Sequence, residues 1–113
     1  MAKTKAQIKK SIKKYYKLIK DKYNIKYIIL YGSYANGHPG EYSDIDLALI
    51  SDDFFKDYAE TLYTLSTACR KADIDIEPIV FSVKEFERPE SASFIFEIKK
   101  TGKIVFKYPD FVF

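Results

Sequence analysis

The sequence predicts an α+β domain, a small mixed β-sheet packed with helices, in the order α-β-β-α-β-α-β. Three observations predict it. A lysine-rich amphipathic segment opens the chain, two short apolar runs flank a glycine-rich turn, and helical and strand patterns then alternate to the end. At 113 residues, with 47% hydrophobic and 31% charged side chains, residues 1–113 read as one domain able to bury a core.

Ile8, Ile12, Tyr15, Ile19 and Tyr23 recur at spacings of three and four with lysines between them, which predicts a helix over roughly residues 4 to 22. Asn24 breaks the pattern, and "IKYIILYGS" predicts a short strand ending near Gly32. "ANGHPGEYS" is turn chemistry. "DIDLALIS" predicts a second strand, apolar on both faces beyond Asp46 and therefore central in its sheet. Phe55, Tyr58, Ala59, Leu62, Leu65 and Cys69 mark a helix over roughly 53 to 71, with Ser51 or Asp52 as its cap. "DIDIEPIVFS" predicts a third strand, and Pro78, which removes a ladder donor, places it at an edge or a bulge. Ser91 is the expected cap of a last helix built on Phe94, Ile95 and Ile98 and stopped by Gly102, and "KIVFKY" predicts the closing strand.

The net charge of +3 hides an asymmetry. Residues 1 to 26 carry ten lysines against the single acid Asp21, for +9, while the remainder carries 9 basic and 15 acidic side chains, for −6. Such a basic helix reads either as a solvated face or as a patch for an acidic partner or nucleic acid. The two arginines, Arg70 and Arg88, both lie outside it. Phosphate forks favour arginine, which argues against sequence-specific reading of nucleic acid. A lone Cys69 and a lone His38 exclude an internal disulfide and leave zinc almost no ligands. No apolar run nears the roughly 20 residues of a membrane span, and no apolar core follows the basic start. The expected setting is soluble, reduced and cytoplasmic, with no membrane partner.

The chemistry concentrates around "YGSYANGHPGEYSDIDLALIS". Asp44 and Asp46 project to one face of a strand, about 7 Å apart at the backbone. Buried carboxylates need partners, and a hard cation such as Mg²⁺ takes one or two carboxylates together with phosphates and water. Asp73, Asp75 and Glu77 are expected to share one face of the third strand, from which one carboxylate would complete the site if the two strands are neighbours. Upstream, Gly32 permits a close backbone approach, and Ser33 with the amides of the turn forms an anion seat. A phosphate seat beside two metals is the layout for in-line displacement at phosphorus.

Gly32-Ser33, ten residues, then Asp44-Ile45-Asp46 resembles the nucleotidyltransferase superfamily of the DNA polymerase β type, and in particular its small stand-alone members, the minimal nucleotidyltransferases. The flanking "LYGSYANG", "SDIDLALI", "IEPIVFS" and "EIKKTGKIVF" are similar to that family too. The resemblance implies the nucleotidyltransferase fold and metal-dependent transfer of a nucleoside monophosphate, AMP from ATP or another nucleotide in its place, with pyrophosphate released. It implies Mg²⁺ on Asp44, Asp46 and a third carboxylate, and the triphosphate on Gly32 and Ser33. Glu77, before Pro78 in "IEP", is the favoured third ligand and Asp75 the alternative. The chain departs from the pattern at Tyr34 and Asn36, where many members carry arginine. The resemblance implies a protein or small-molecule acceptor; the family often works as the antitoxin beside a helical partner of the HEPN type, and in that setting the enzyme adenylylates its partner. The competing class is a binding module that neutralises a partner by complex formation with little or no catalysis. Non-specific nucleic-acid binding through residues 3 to 26 is the third reading, and it would collapse with salt.

Overall fold

The computed structural model describes residues 2–113. Helix α1 (Lys5–Ile19) starts at a capping box in which Thr4 and Gln7 satisfy each other's amides, and its lysines lie on the exposed side. Strand β1 (Tyr27–Tyr31) leads through Gly32 into the single-turn helix α2 (Ser33–Asn36). Strand β2 (Ile45–Ile50) is followed by a 3₁₀ turn, Asp52–Phe55, and by α3 (Tyr58–Ala72). Then come β3 (Ile76–Phe81), α4 (Val83–Glu87), α5 (Phe94–Thr101), β4 (Lys103–Lys107) and the two-residue β5 (Asp110–Phe111).

The five strands form one mixed sheet in the order β3-β2-β1-β4-β5. β2 runs parallel to β3 and antiparallel to β1, and the β1–β4 and β4–β5 pairs are antiparallel. β3 is an edge strand, which is where Pro78 can sit without breaking a second ladder.

Alternation along β2 divides the core. Leu47 and Leu49 join Ile28 and Leu30 of β1 beneath α1 and α3, meeting Ile8, Ile12, Tyr15 and Ile19 from one helix and Leu65, Ala68 and Cys69 from the other. Ala48 and Ile50 point to the opposite face and pack with Ile29, Phe86, Ile95 and Ile98 beneath α4 and α5. Each fully buried Leu or Ile side chain contributes about 1.5–3 kcal/mol. The α1–α3 pair is also tied by the Tyr15 hydroxyl, which donates to the Leu65 carbonyl at 3.2 Å, and by the Ser11 hydroxyl, which donates to Asp73 at 2.7 Å.

Several boundaries differ from expectation. The helix expected from 53 is split, because Ser51 caps the 3₁₀ turn and Asp57, in extended conformation, caps α3. Asp52 instead accepts from the Val83 amide. Helix α4, with its own capping box of Ser82 and Glu85, was not expected, and nor was β5. Ser93 rather than Ser91 caps α5, with the Phe96 amide donating to its hydroxyl at 3.2 Å. Among the described residues no helix is long and apolar enough to cross a membrane.

Candidate active site

The site begins where β1 ends. Gly32 has φ +75° and ψ −152°, a region essentially reserved for glycine. Its carbonyl accepts from the amides of Ala35 (3.0 Å) and Asn36 (3.1 Å), so the chain turns at once into α2. The first amides of a helix have no intrahelical acceptor, so those of Ser33 and Tyr34 are the donors the turn presents. A second constraint acts on Gly32. A Cβ there would overlap the Asp46 carboxylate, so the turn and the acid are in direct contact.

β2 carries that acid. Asp46 lies in register with Tyr31 of β1 on one side and with Glu77 of β3 on the other, on the face that holds Ala48 and Ile50. Asp44, exposed, lies two residues earlier. Partial burial first, then the charges of Asp44 and Glu77, push the Asp46 carboxyl above its ordinary value. Tyr31 is pushed up to about 12, by burial first and then by Asp46 and Glu77. Among the described residues, no lysine or arginine forms an ion pair with Asp44, Asp46 or Glu77.

The sequence expectation for the third strand is corrected in part. Asp73 and Asp75 precede β3 and do not share its face with Glu77. Asp73 ends α3 and accepts from Ser11 and from the Asp75 amide. Asp75 lies in the turn, where its carboxylate forms an ion pair with Lys3. The parallel β2–β3 pairing therefore brings Glu77, and not Asp75, beside Asp46.

The hydrogen bond to Asp75 holds the Lys3 ammonium above its ordinary pKa, and the Lys3 amide donates to the Tyr34 hydroxyl at 3.1 Å. Tyr34, at one of the two positions where arginine was expected by resemblance, thus ties the start of the chain to α2. Tyr31 and Lys3 were not foreseen as part of this region. Tyr31 had a signal in its place directly before Gly32, whereas Lys3 had none, being 72 residues from Asp75.

Whether these residues suit a divalent cation rests on the donor set. Three carboxylates with no cationic partner among the described residues, one of them made reluctant to ionise by partial burial and then by the other two, are hard oxygen donors of the kind Mg²⁺ selects. Among the described residues, no three acid, histidine or cysteine side chains converge into a ready-made cage. A cation held by these carboxylates would therefore have to keep waters or take phosphate oxygens as its remaining ligands.

The polymerase beta nucleotidyltransferase family matches residues 10–110. The chain belongs to this family. A relative from Methanocaldococcus jannaschii named "putative protein adenylyltransferase" is 36% identical over 99 residues, covering 86% of this chain and 96% of its own. Another of the same name and organism is 42% identical over 64 residues, covering 53% of this chain, and the match spans 64% of that relative's length. Among solved structures, a "putative nucleotidyltransferase" from Sulfolobus solfataricus superposes with a TM-score of 0.63 at 20% identity, over 99% of this chain and 97% of that one, a likeness of fold. A toxin-antitoxin structure with AMP-PNP superposes with a TM-score of 0.53 at 25% identity, over 86% of this chain and 73% of the other. The nucleotidyltransferase fold, an α+β mixed sheet with helices, is thus the fold of this chain, and transfer of a nucleotidyl group is the activity of its family.

Proposed function

We propose that this nucleotidyltransferase uses Mg²⁺ and ATP to transfer AMP to a protein acceptor, as the antitoxin beside a helical partner of the HEPN type. The observation that carries the reading is the contact of Gly32 with Asp46, which sets a turn with free helix-start amides directly against the most buried acid of a carboxylate group. The adenylyltransferase name of the relatives supports AMP as the transferred group, and the toxin-antitoxin neighbour with AMP-PNP supports both the nucleotide and the partner.

In this reading the amides of Ser33 and Tyr34 and the Ser33 hydroxyl hold the outgoing phosphates. Asp44, Asp46 and Glu77 would hold Mg²⁺; the register of Glu77 beside Asp46 favours it over Asp75, which pairs with Lys3. When bound at these carboxylates, Mg²⁺ would neutralise charge on the phosphate oxygens and so favour in-line displacement. The acceptor hydroxyl gives up its proton to solvent as its oxygen bonds to the α-phosphorus, the bond from that phosphorus to the α–β bridging oxygen breaks, and that oxygen's electron pair leaves with pyrophosphate. The chain's part is positional, since β2 fixes Asp46 between two neighbouring strands and Gly32 fixes the turn against it.

Transfer of label from α-labelled ATP to a co-purified HEPN-type partner, with and without Mg²⁺, tests the reading. Asp44→Asn with Asp46→Asn is expected to abolish transfer, Glu77→Gln to reduce it at least a hundredfold, and Asp75→Asn to leave most of it. Transfer that survives the double asparagine variant would overturn the catalytic assignment. A stable complex without transfer would establish the binding module instead.

A further inference from the structure

We propose that Phe94, backed by Tyr31, is a stacking platform for the base of the bound nucleotide. The inference rests on the nucleotidyltransferase reading and adds a base subsite to it. Tyr31 stands beside Asp46 in the sheet, on the same face as Glu77, so its ring adjoins the carboxylates. The ring of Phe94 meets that of Tyr31 edge to face, with centroids 5.8 Å apart and an interplanar angle of 86°. An aromatic surface thus extends outward from the acids by one ring beyond Tyr31.

Phe94 is 55% exposed, although a phenylalanine of this size is ordinarily buried. Its position is nonetheless fixed. It is the first residue of α5, whose Ile95 and Ile98 are buried against the sheet, and Ser93 caps the helix immediately before it. Ala92, the residue before that cap, is held at φ +62°, in the left-handed region that alanine rarely adopts. The loop is therefore bent into an uncommon conformation at the point that sets Phe94 on the surface beside Tyr31. An exposed apolar ring on a helix anchored to the sheet, one ring away from the residue in register with Asp46, offers a π-face that any nucleobase can cover.

Calorimetric titration with ATP and with inorganic tripolyphosphate, both in Mg²⁺, separates the base from the phosphates. Wild type is expected to bind both. Phe94→Ala should weaken ATP about 5- to 150-fold, the range for loss of one stacked base, while tripolyphosphate binding stays as in wild type. Phe94→Trp should keep ATP within about threefold, since a larger ring stacks as well. Equal ATP affinity in wild type and Phe94→Ala would overturn the platform while leaving the nucleotidyltransferase reading intact. Parallel loss of ATP and tripolyphosphate in Phe94→Ala would overturn it too, as damage to the phosphate seat. Failure of wild type to bind either probe would overturn the underlying reading and the platform with it.

Discussion

Replacement of Gly32 by alanine tests the central contact of the site. Two costs follow from the structure. At φ +75° and ψ −152° an alanine is strained by about 1–3 kcal/mol. Its Cβ would also overlap a carboxylate oxygen of Asp46 and lie 3.3 Å from that residue's Cγ, so the acid must turn off its rotamer at about 0.5–1.5 kcal/mol. The sum is about 1.5–4.5 kcal/mol, or a fall in Tm of roughly 6–18 °C at about 4 °C per kcal/mol for a domain of this size. The two costs separate in a double-mutant cycle with Asp46→Ala, read by urea denaturation. Removing the carboxylate leaves only the Cβ of residue 46, at 3.5 Å, an ordinary contact. The double variant should therefore be more stable than the sum of the singles by about 0.5–1.5 kcal/mol, leaving the backbone strain alone. Additivity of the two substitutions, or a neutral Gly32→Ala, would show that turn and acid do not touch.

Other substitutions bear on different parts of the structure. Asp46→Asn should raise the stability of the nucleotide-free protein, because its pKa is raised in the fold: wild type then holds the proton more tightly folded than unfolded, and loses stability as pH rises from the usual aspartate range near 4 through the folded value. Urea denaturation of both proteins from pH 3 to 8 should show the gap opening with pH. Asp53 has the opposite sign. The Asn24 amide, then Lys56, hold its carboxyl below the ordinary value, so its contribution is complete above about pH 4 and fades as pH falls through the folded value; Asp53→Asn should be the less stable protein at pH 7, with the difference shrinking in acid. Ser82→Ala removes one half of the α4 capping box and should cost about 1 kcal/mol, measurable as a shift in urea midpoint at unchanged slope.

What the sequence revealed, and what it hid, follows the range of the forces involved. The α1 stripe and the apolar runs of β1 and β2 are local patterns and were legible. Helix α4 is five residues long, too short to show periodicity, although its Ser82-x-x-Glu85 box was in plain view. In the first half of α3 the apolar stripe was read one residue off, since Thr61, whose hydroxyl donates to the Phe54 carbonyl, takes a buried position while Tyr58 and Leu62 stay exposed, whereas Leu65 and Cys69 are buried as read. In the site, the period of two grouped Asp44 with Asp46, but neighbouring strands are a matter of topology. The pairing of β2 with β3 puts Glu77 in register with Asp46, and Asp75 pairs with Lys3, 72 residues away in the sequence. Phe94 was read with Ile95 and Ile98 as the apolar stripe of the last helix, but only the two isoleucines are buried, and its exposure depends on how α5 lies against the sheet.

The register of β2 carries a consequence for how such a chain can fail. A slip of one residue against β1 or β3 would swing Asp46 into the space of Leu47, which is fully buried beneath α1 and α3, and would turn Leu47 out toward α5. The cost of an unpaired carboxylate in that core forbids the slipped state from competing. Folding therefore proofreads the constellation: a chain that has passed the cooperative transition has its acids side by side, and one whose acids are misplaced has not passed it. Loss of activity in a stably folded variant then points to the side chains themselves and not to their assembly.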